Sequence, residues 1–241
     1  MSSGSPRRHL EGQVAVVTGA GRGIGQAIAM RFAQAGAQVV LAARSVDELE
    51  QTRAAIVAQG GVCRVQPTDV TDPAQVETLI DAAVAWFGGV DILVNNAGVA
   101  LRARFDELSV AEWDEVLAVN AHAVLYTCAS VWKLMTARGG GVILNVSSLV
   151  TQYPTRGFAL YAGTKGFVDA LSRALAEEGR AFGIRVHVLA PGYVATALTR
   201  ATSPEVPADR CLLPAEVAEA AEMLAGPSGR LSSGSVLHMR R

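Results

Sequence analysis

Val14-Ala-Val-Val-Thr-Gly-Ala-Gly-Arg-Gly-Ile-Gly25 begins as a β-branched apolar run and passes through a glycine-rich turn into Gln26-Ala-Ile-Ala-Met-Arg-Phe32. Ile24, Ala27, Ile28 and Phe32 share one helical face, so the stretch reads as strand, glycine turn, amphipathic helix. Glycines let the backbone turn tightly and approach a ligand, and an anion placed there meets a helix N-terminus. A glycine loop alone is often a plain turn. Its position between a first strand and a helix turns the reading toward a phosphate cradle. The spacing Gly19, Gly23, Gly25 differs from the common G-x-G-x-x-G. A methyltransferase also binds an adenosyl group on such a sheet, but it needs no phosphate cradle.

The same alternation continues along the chain. Val14–Val17, Val39–Leu41, Val62–Val65, Val90–Val94, Val142–Val146 and Ile184–Leu189 read as short strands covered on both faces. Helical faces lie between them: Val76, Leu79, Ile80 and Val84, then Trp113, Val116, Leu117 and Val124. Asp72-Pro73 gives an N-cap with proline at the first helical position, and Gly36 and Gly60 suit helix stops. Strand-helix alternation means βαβ units and a parallel sheet, an α/β architecture. Residues 1–10 read as a flexible tail and 11–241 as a single domain. Thr199–Pro214 breaks the pattern with three prolines, giving a short lid near residues 197–213.

Composition narrows the function. The chain has 241 residues, half of them hydrophobic, 18% charged, with a formal net charge of −1. That balance is globular and offers no global attraction to nucleic acid or an anionic membrane. No run of about 18 apolar residues occurs, so no membrane span is expected. Cys63, Cys128 and Cys211 are far apart and form no C-x-x-C, which argues against disulfides and for the cytoplasm. His9, His122, His187 and His238 have no ligand spacing, so no metal site is assigned. His187 reads as core, Cys128 as a small core residue, and Arg7-Arg8 and Arg240-Arg241 as too short for a nucleic-acid site.

Two further features bear on chemistry. The second strand ends Leu41-Ala-Ala-Arg44 with no acid at its tip, where a carboxylate would hold a ribose 2′-hydroxyl. Arg44, with Arg22 in the glycine loop, suits a 2′-phosphate, so NADP(H) is favoured over NAD(H); two surface arginines are the bland alternative. Tyr161 and Lys165 stand four apart in a helical stretch and share a face. A phenol of pKa about 10 is a poor base at neutrality, and a nearby ammonium would lower it. Tyr161 could then exchange a proton with a carbinol oxygen, with Ser148 as a second hydrogen-bond donor to that oxygen.

These motifs in this order resemble the short-chain dehydrogenase/reductase family over residues 11–198. Thr18–Gly25 is similar to its cofactor loop, with Gly19, Arg22, Gly23, Ile24 and Gly25 carried over. Asn95-Asn96-Ala97-Gly98 resembles its second signature, and Asp69-Val70 its adenine-contacting pair. Asn120 matches the asparagine that holds a water in a proton relay. Ser148 stands at the family's interval before Tyr161 and is chosen over Ser147. Pro191-Gly192 with Val194 and Thr196 matches the segment that binds the nicotinamide carboxamide. The resemblance implies an open, doubly wound Rossmann sheet of about seven parallel strands. It also implies metal-free hydride transfer between NAD(P)(H) and a carbonyl or alcohol, nearest in pattern to 3-oxoacyl-acyl-carrier-protein reductases. Long helices near 109–137 and 158–182 imply pairing into a homodimer or homotetramer.

The resemblance weakens at the C-terminus. Gly234–Arg241 lacks the family's terminal Asp-Gly-Gly, so a reduced lid, an open pocket and an altered last-strand interface are expected. Arg138 and Arg180 could dock a carrier protein, and Arg102 and Arg104 could meet an anionic substrate; solvated surface is the preferred reading of all four. Two other functions fit less well. A non-catalytic dinucleotide sensor would be expected to lack Tyr161 or Lys165, and an extended epimerase or dehydratase would need a longer substrate region.

Overall fold

The computed structural model describes residues 9–241. The chain alternates strands and helices throughout: β1 (Val14–Thr18), α1 (Gly23–Gln34), β2 (Gln38–Ala43), α2 (Val46–Ala58), β3 (Val62–Pro67), α3 (Pro73–Phe87) and β4 (Ile92–Asn95). It continues through α4 (Val110–Leu117), α5 (Ala123–Ala137), β5 (Gly141–Val146), α6 (Ala159–Gly179) and β6 (Ile184–Pro191). The last elements are α7 (Ala197–Thr202), α8 (Pro214–Ala225) and β7 (Val236–Met239). The seven strands form one parallel sheet in the order β3-β2-β1-β4-β5-β6-β7. Chain connections therefore run outward in both directions from the β1/β4 junction, which makes that junction the switch point of a doubly wound Rossmann fold.

Strand period explains the two layers. Along β1, Ala15 and Val17 pack into the core beneath α1, α2 and α8, whereas Val16 packs into the core beneath α3, α5 and α6. Both faces of β1 and β4 are therefore fully buried, as their continuous apolar sequence implies. Asp72 caps α3 by accepting from Ala74 N, with Pro73 at the first position. The chain leaves α1 and α2 through Gly36 and Gly60, as read from sequence.

Several expectations need correction. Leu10 is fully buried in the α1/α8 core and donates its backbone N–H to Ala35 O at 3.0 Å. Residues 9 and 10 are thus tied to the domain, while the rest of the expected tail, residues 1–8, lies outside the described residues. The fourth strand starts at Ile92, two residues later than read. Edge strand β3 is not covered on both faces; Val62 is 51% exposed. The proline-rich segment after Thr196 is not all loop, since α7 forms its first turns. Despite its altered ending, the C-terminus completes the sheet as β7.

The stretch 110–137 is not one regular helix. Ala118–His122 forms a π-turn between α4 and α5. The inserted residue shifts the helical phase, so Val116 and Val124 are buried but Leu117 turns outward. The expected common face of Trp113, Val116, Leu117 and Val124 is broken there.

His187 on β6 is fully buried, as the sequence implied. Its Nδ1 lies 3.2 Å from Ser232 O, and Nε2 has no partner among the described residues. Burial, then the neighbouring Arg185 charge, pushes its pKa down from 6.5 to about 4. The unfolded chain therefore takes up the proton first, so this contribution is intact above pH 6.5 and is lost as pH falls toward 4. The shift corresponds to about 3 kcal/mol. Urea denaturation between pH 7 and 4 should show a shallower loss of stability in His187→Gln; an unchanged slope would contradict this account.

Candidate active site

Parallel pairing brings the carboxyl ends of all seven strands to one edge, and there they line a cavity of about 1590 Å³. Gly19 follows β1, Arg44 follows β2, Thr68 follows β3 and Asn96 follows β4. Ser147 and Ser148 follow β5, Pro191 ends β6 and Arg240 follows β7.

Thr18 sets the glycine loop against β4. Its hydroxyl donates to Val94 O and accepts from the backbone N–H of Asn96 at 3.0 Å and Ala97 at 3.1 Å. The Asn96 amide donates back to Thr18 O at 2.9 Å and Gly19 O at 3.2 Å. Gly19 adopts φ +64, and a Cβ there would lie 2.7 Å from Asn96 Nδ2, so the loop closes only with glycine. Arg22, the residue before α1, makes no side-chain capping bond, which leaves the first-turn amides of α1 aimed at the cavity.

Gly19, Arg22, Gly23, Ile24, Arg44, Asp69, Val70, Asn96, Ala97 and Gly98 all line this cavity, as do Pro191, Gly192, Val194 and Thr196. Gly25 does not. A Cβ there would sit 2.2 Å from Gly19 O, so Gly25 serves close packing of α1 against the loop. Thr196 caps α7 by accepting from Thr199 N. The segment beyond it is pinned at its root by a bridge between Val194 and Leu212.

At the other end of the cavity stand Ser148, Tyr161 and Lys165. Helix α6 carries the last two on one face. The Lys165 ammonium donates to Val146 O at 2.8 Å and lies 5.7 Å from the centroid of the Tyr161 ring. Burial pushes Lys165 down to about 8, opposed by Asp169 one turn on. Burial pushes Tyr161 up to about 12, opposed by the Ser148 hydroxyl. The expectation that the ammonium lowers the tyrosine pKa is not met here. Desolvation sets the shift, and the ammonium, bonded to the β5 backbone, is not among its causes.

Asn120 lies off the cavity wall, fully buried in the π-turn. Its Oδ1 accepts from Val99 N at 2.9 Å, and its Nδ2 donates to Val99 O at 2.8 Å and Thr164 Oγ1 at 3.2 Å. Gly98 separates it from the lysine: a Cβ there would lie 3.4 Å from Asn120 Oδ1 and 3.6 Å from Lys165 Nζ. Among the described residues, no three His, Cys, Asp or Glu side chains gather as a metal site, and no helix is long and apolar enough to cross a membrane.

The fold and this ordered site have a counterpart among known proteins: residues 13–207 match the family described as short chain dehydrogenase. The chain belongs to that family. It is an oxidoreductase of the short-chain dehydrogenase type, 36% identical to a D-threitol dehydrogenase of Mycolicibacterium smegmatis over 95% of this chain and 91% of the relative. A gluconate 5-dehydrogenase from Burkholderia cenocepacia, solved with NADP and tartrate, superposes with a TM-score of 0.89 at 33% identity, covering 97% of this chain and 95% of the other. A 3-ketoacyl-(acyl-carrier-protein) reductase from Brucella melitensis complexed with NADH gives 0.90 at 34% identity, with 95% and 97% covered.

Sequence reading missed residues of this short-chain dehydrogenase that topology alone brings to the site. Glu48, in the first turn of α2, lines the cavity and pairs with Arg22 at 3.1 Å. Arg240, dismissed as half of a short basic pair, lines it from the end of β7. Arg102 and Arg104 are engaged elsewhere: Arg102 bonds Glu205 and Thr202 O across the lid, and Arg104 bonds Asp106. Replacing Gly25 by Ala should cost about 1–3 kcal/mol through overpacking. It should also weaken NADPH or NADH binding measured by fluorescence titration. Wild-type melting and wild-type affinity together would refute the packing role.

Proposed function

We propose that this short-chain dehydrogenase transfers hydride between NADP(H) and a carbonyl or secondary alcohol, with Ser148, Tyr161, Lys165 and Asn120 as its catalytic set. The observation that carries this is the meeting of Ser148, Tyr161 and Lys165 in one cavity with the glycine loop. The glycine turn at Gly19 and the open first turn of α1 fit a pyrophosphate, and relatives named with NADP or NADH support a nicotinamide dinucleotide. When bound, that group supplies or accepts the hydride.

The chain's own residues handle the proton. With its pKa near 12, Tyr161 is a neutral phenol at physiological pH and can donate to a carbonyl oxygen as negative charge grows there. Ser148 holds the same oxygen with its hydroxyl. Lys165, poised near 8, can return a proton to the tyrosine, and Asn120 across Gly98 positions that exchange. Carbonyl reduction is therefore favoured below about pH 8, while alcohol oxidation gains as pH rises. Tyr161→Phe should lower turnover by about 10²- to 10⁴-fold. NADPH should still bind. A variant retaining most of the wild-type rate would overturn the assignment.

The preference for NADP(H) rests on exposed Arg44 at the tip of β2 and on Arg22. Glu48 holds Arg22 in an exposed pair and so competes with a 2′-phosphate for it. Glu48→Gln should raise the ratio of NADPH to NADH efficiency by about three- to fivefold, the scale of one exposed charge pair. An unchanged or lower ratio would remove Arg22 from cofactor selection.

The substrate is a small carbonyl or alcohol in a compartment walled by Val150, Tyr153, Phe158, Tyr193 and Leu198. A 3-oxoacyl group is one candidate. The arginines considered for carrier docking are paired, Arg138 with Asp91 and Arg180 with Glu177, which lends that version no support. The reading keeps the cytoplasmic location inferred from cysteine usage and the homodimer or homotetramer implied by the family. Exposed Leu117, Leu125 and Phe167 line a shallow apolar groove between α4, α5 and α6 that suits such pairing.

A further inference from the structure

We infer that Arg240 is an anion-recognition group of the substrate compartment, and that the substrate is a carboxylate-bearing ketone or alcohol, an oxo-acid or hydroxy-acid. The inference rests on the oxidoreductase reading above and names its substrate class.

Position comes first. Arg240 follows β7, and β7 runs beside β6, whose end carries Pro191 and Gly192. Gly192 N donates to Met239 O at 2.8 Å, and a side chain on Gly192 would begin 3.9 Å from Arg240 Cβ. The arginine is thereby rooted by backbone pairing at the same strand edge that presents Ser148.

Orientation follows. The Arg240 guanidinium carbon lies 5.4 Å from the centroid of Tyr153, which sits on the loop that begins at Ser148. Contact with a ring uses none of the guanidinium's N–H donors as a conventional hydrogen bond, and a free guanidinium edge matches a carboxylate bidentately. Among the described residues, no hydrogen bond or ion pair to Arg240 uses those donors.

The charge around it is unbalanced. Among the described residues, the acidic side chains lining the cavity are Glu48 and Asp69, and both belong to the end built by β2, β3 and the glycine loop. Glu48 is paired with Arg22, and one Asp69 oxygen accepts two bonds from Thr71. Arg241, next in the chain, is neutralised by Glu216 at 2.8 Å. Arg240, exposed at the mouth of the cavity, therefore presents a guanidinium without a carboxylate partner among the described residues, and its selectivity for an anion comes from the geometry of its fork.

The test pairs each oxo-acid with its uncharged primary amide: acetoacetate with acetoacetamide, and 5-oxohexanoate with 5-oxohexanamide, each reduced with NADPH. Wild-type protein should favour at least one acid over its amide by about tenfold or more in kcat/KM, mainly through KM. Arg240→Gln should lower that ratio by about tenfold, and Arg240→Lys should retain part of it as a point charge without the fork. Amides turned over as well as acids in the wild type, or a ratio that survives in Arg240→Gln, would overturn the inference. If no carbonyl of any kind is reduced, the oxidoreductase reading fails, and anion recognition is then judged alone. In that case tartrate, but not erythritol, should raise the melting temperature of the NADPH-loaded wild type more than that of Arg240→Gln; equal shifts or none would sink it.

Discussion

The hydroxyl of Thr18 joins two strands that the chain visits 76 residues apart. It donates to Val94 on β4 and takes the backbone N–H groups of Asn96 and Ala97, while Asn96 returns its amide to the turn after β1. These bonds lie at the point where sheet connections change direction, and all of them are at least partly buried. Removing one partner would leave several donors without acceptors, which costs more than the lost bond itself. The shape of the glycine turn, and through it the entry of α1, follows from this junction. A turn made only of glycines would have no fixed geometry. Thr18 and Asn96 supply it.

A second set of ties fixes the other half of the site. Asn95 on β4 donates to Asn145 on β5, which donates to Ser172 on α6, while Thr127 on α5 donates to Asn95. Every member is buried, so the network specifies how two strands and two helices meet. Lys165 and Ser147 extend it to the cavity wall through their bonds to Val146 O and Lys165 O. The same burial separates the acidities of phenol and ammonium in opposite senses. A helix held this firmly against the sheet can keep a neutral tyrosine and a readily deprotonated lysine side by side.

Much of this was legible because it is local. A strand, its turn and its helix lie within one window, so Val14–Phe32 reveals its form without reference to anything distant. The order of the later motifs carried Ser148, Tyr161 and Lys165 into one site, since a parallel sheet delivers every strand end to the same edge. What escaped was set by neighbours far along the chain. Leu10 reads as tail until α8 covers it, and Glu48 is an ordinary first-turn acid until the glycine loop folds over it. Arg240 gains meaning only when β7 pairs with β6. The direction of the Tyr161 shift was misread for the same reason, because residue spacing reports who is adjacent and not how much water has been excluded.

The π-turn at Ala118–His122 has a consequence for length. One additional residue in a helical turn rotates everything before it by about 100° relative to everything after it. Here the rotation keeps Asn120 turned inward while α4 presents Val116 to the interior and Leu117 to the outside. Excising any one residue of the turn would restore a smooth helix and an unbroken hydrogen-bond ladder, an apparent improvement in local regularity. It would also swing α4 out of register with the core beneath it and turn Asn120 away from Val99. This helix therefore tolerates substitution more readily than deletion, and its residue count is conserved by geometry even where its side chains are free to vary.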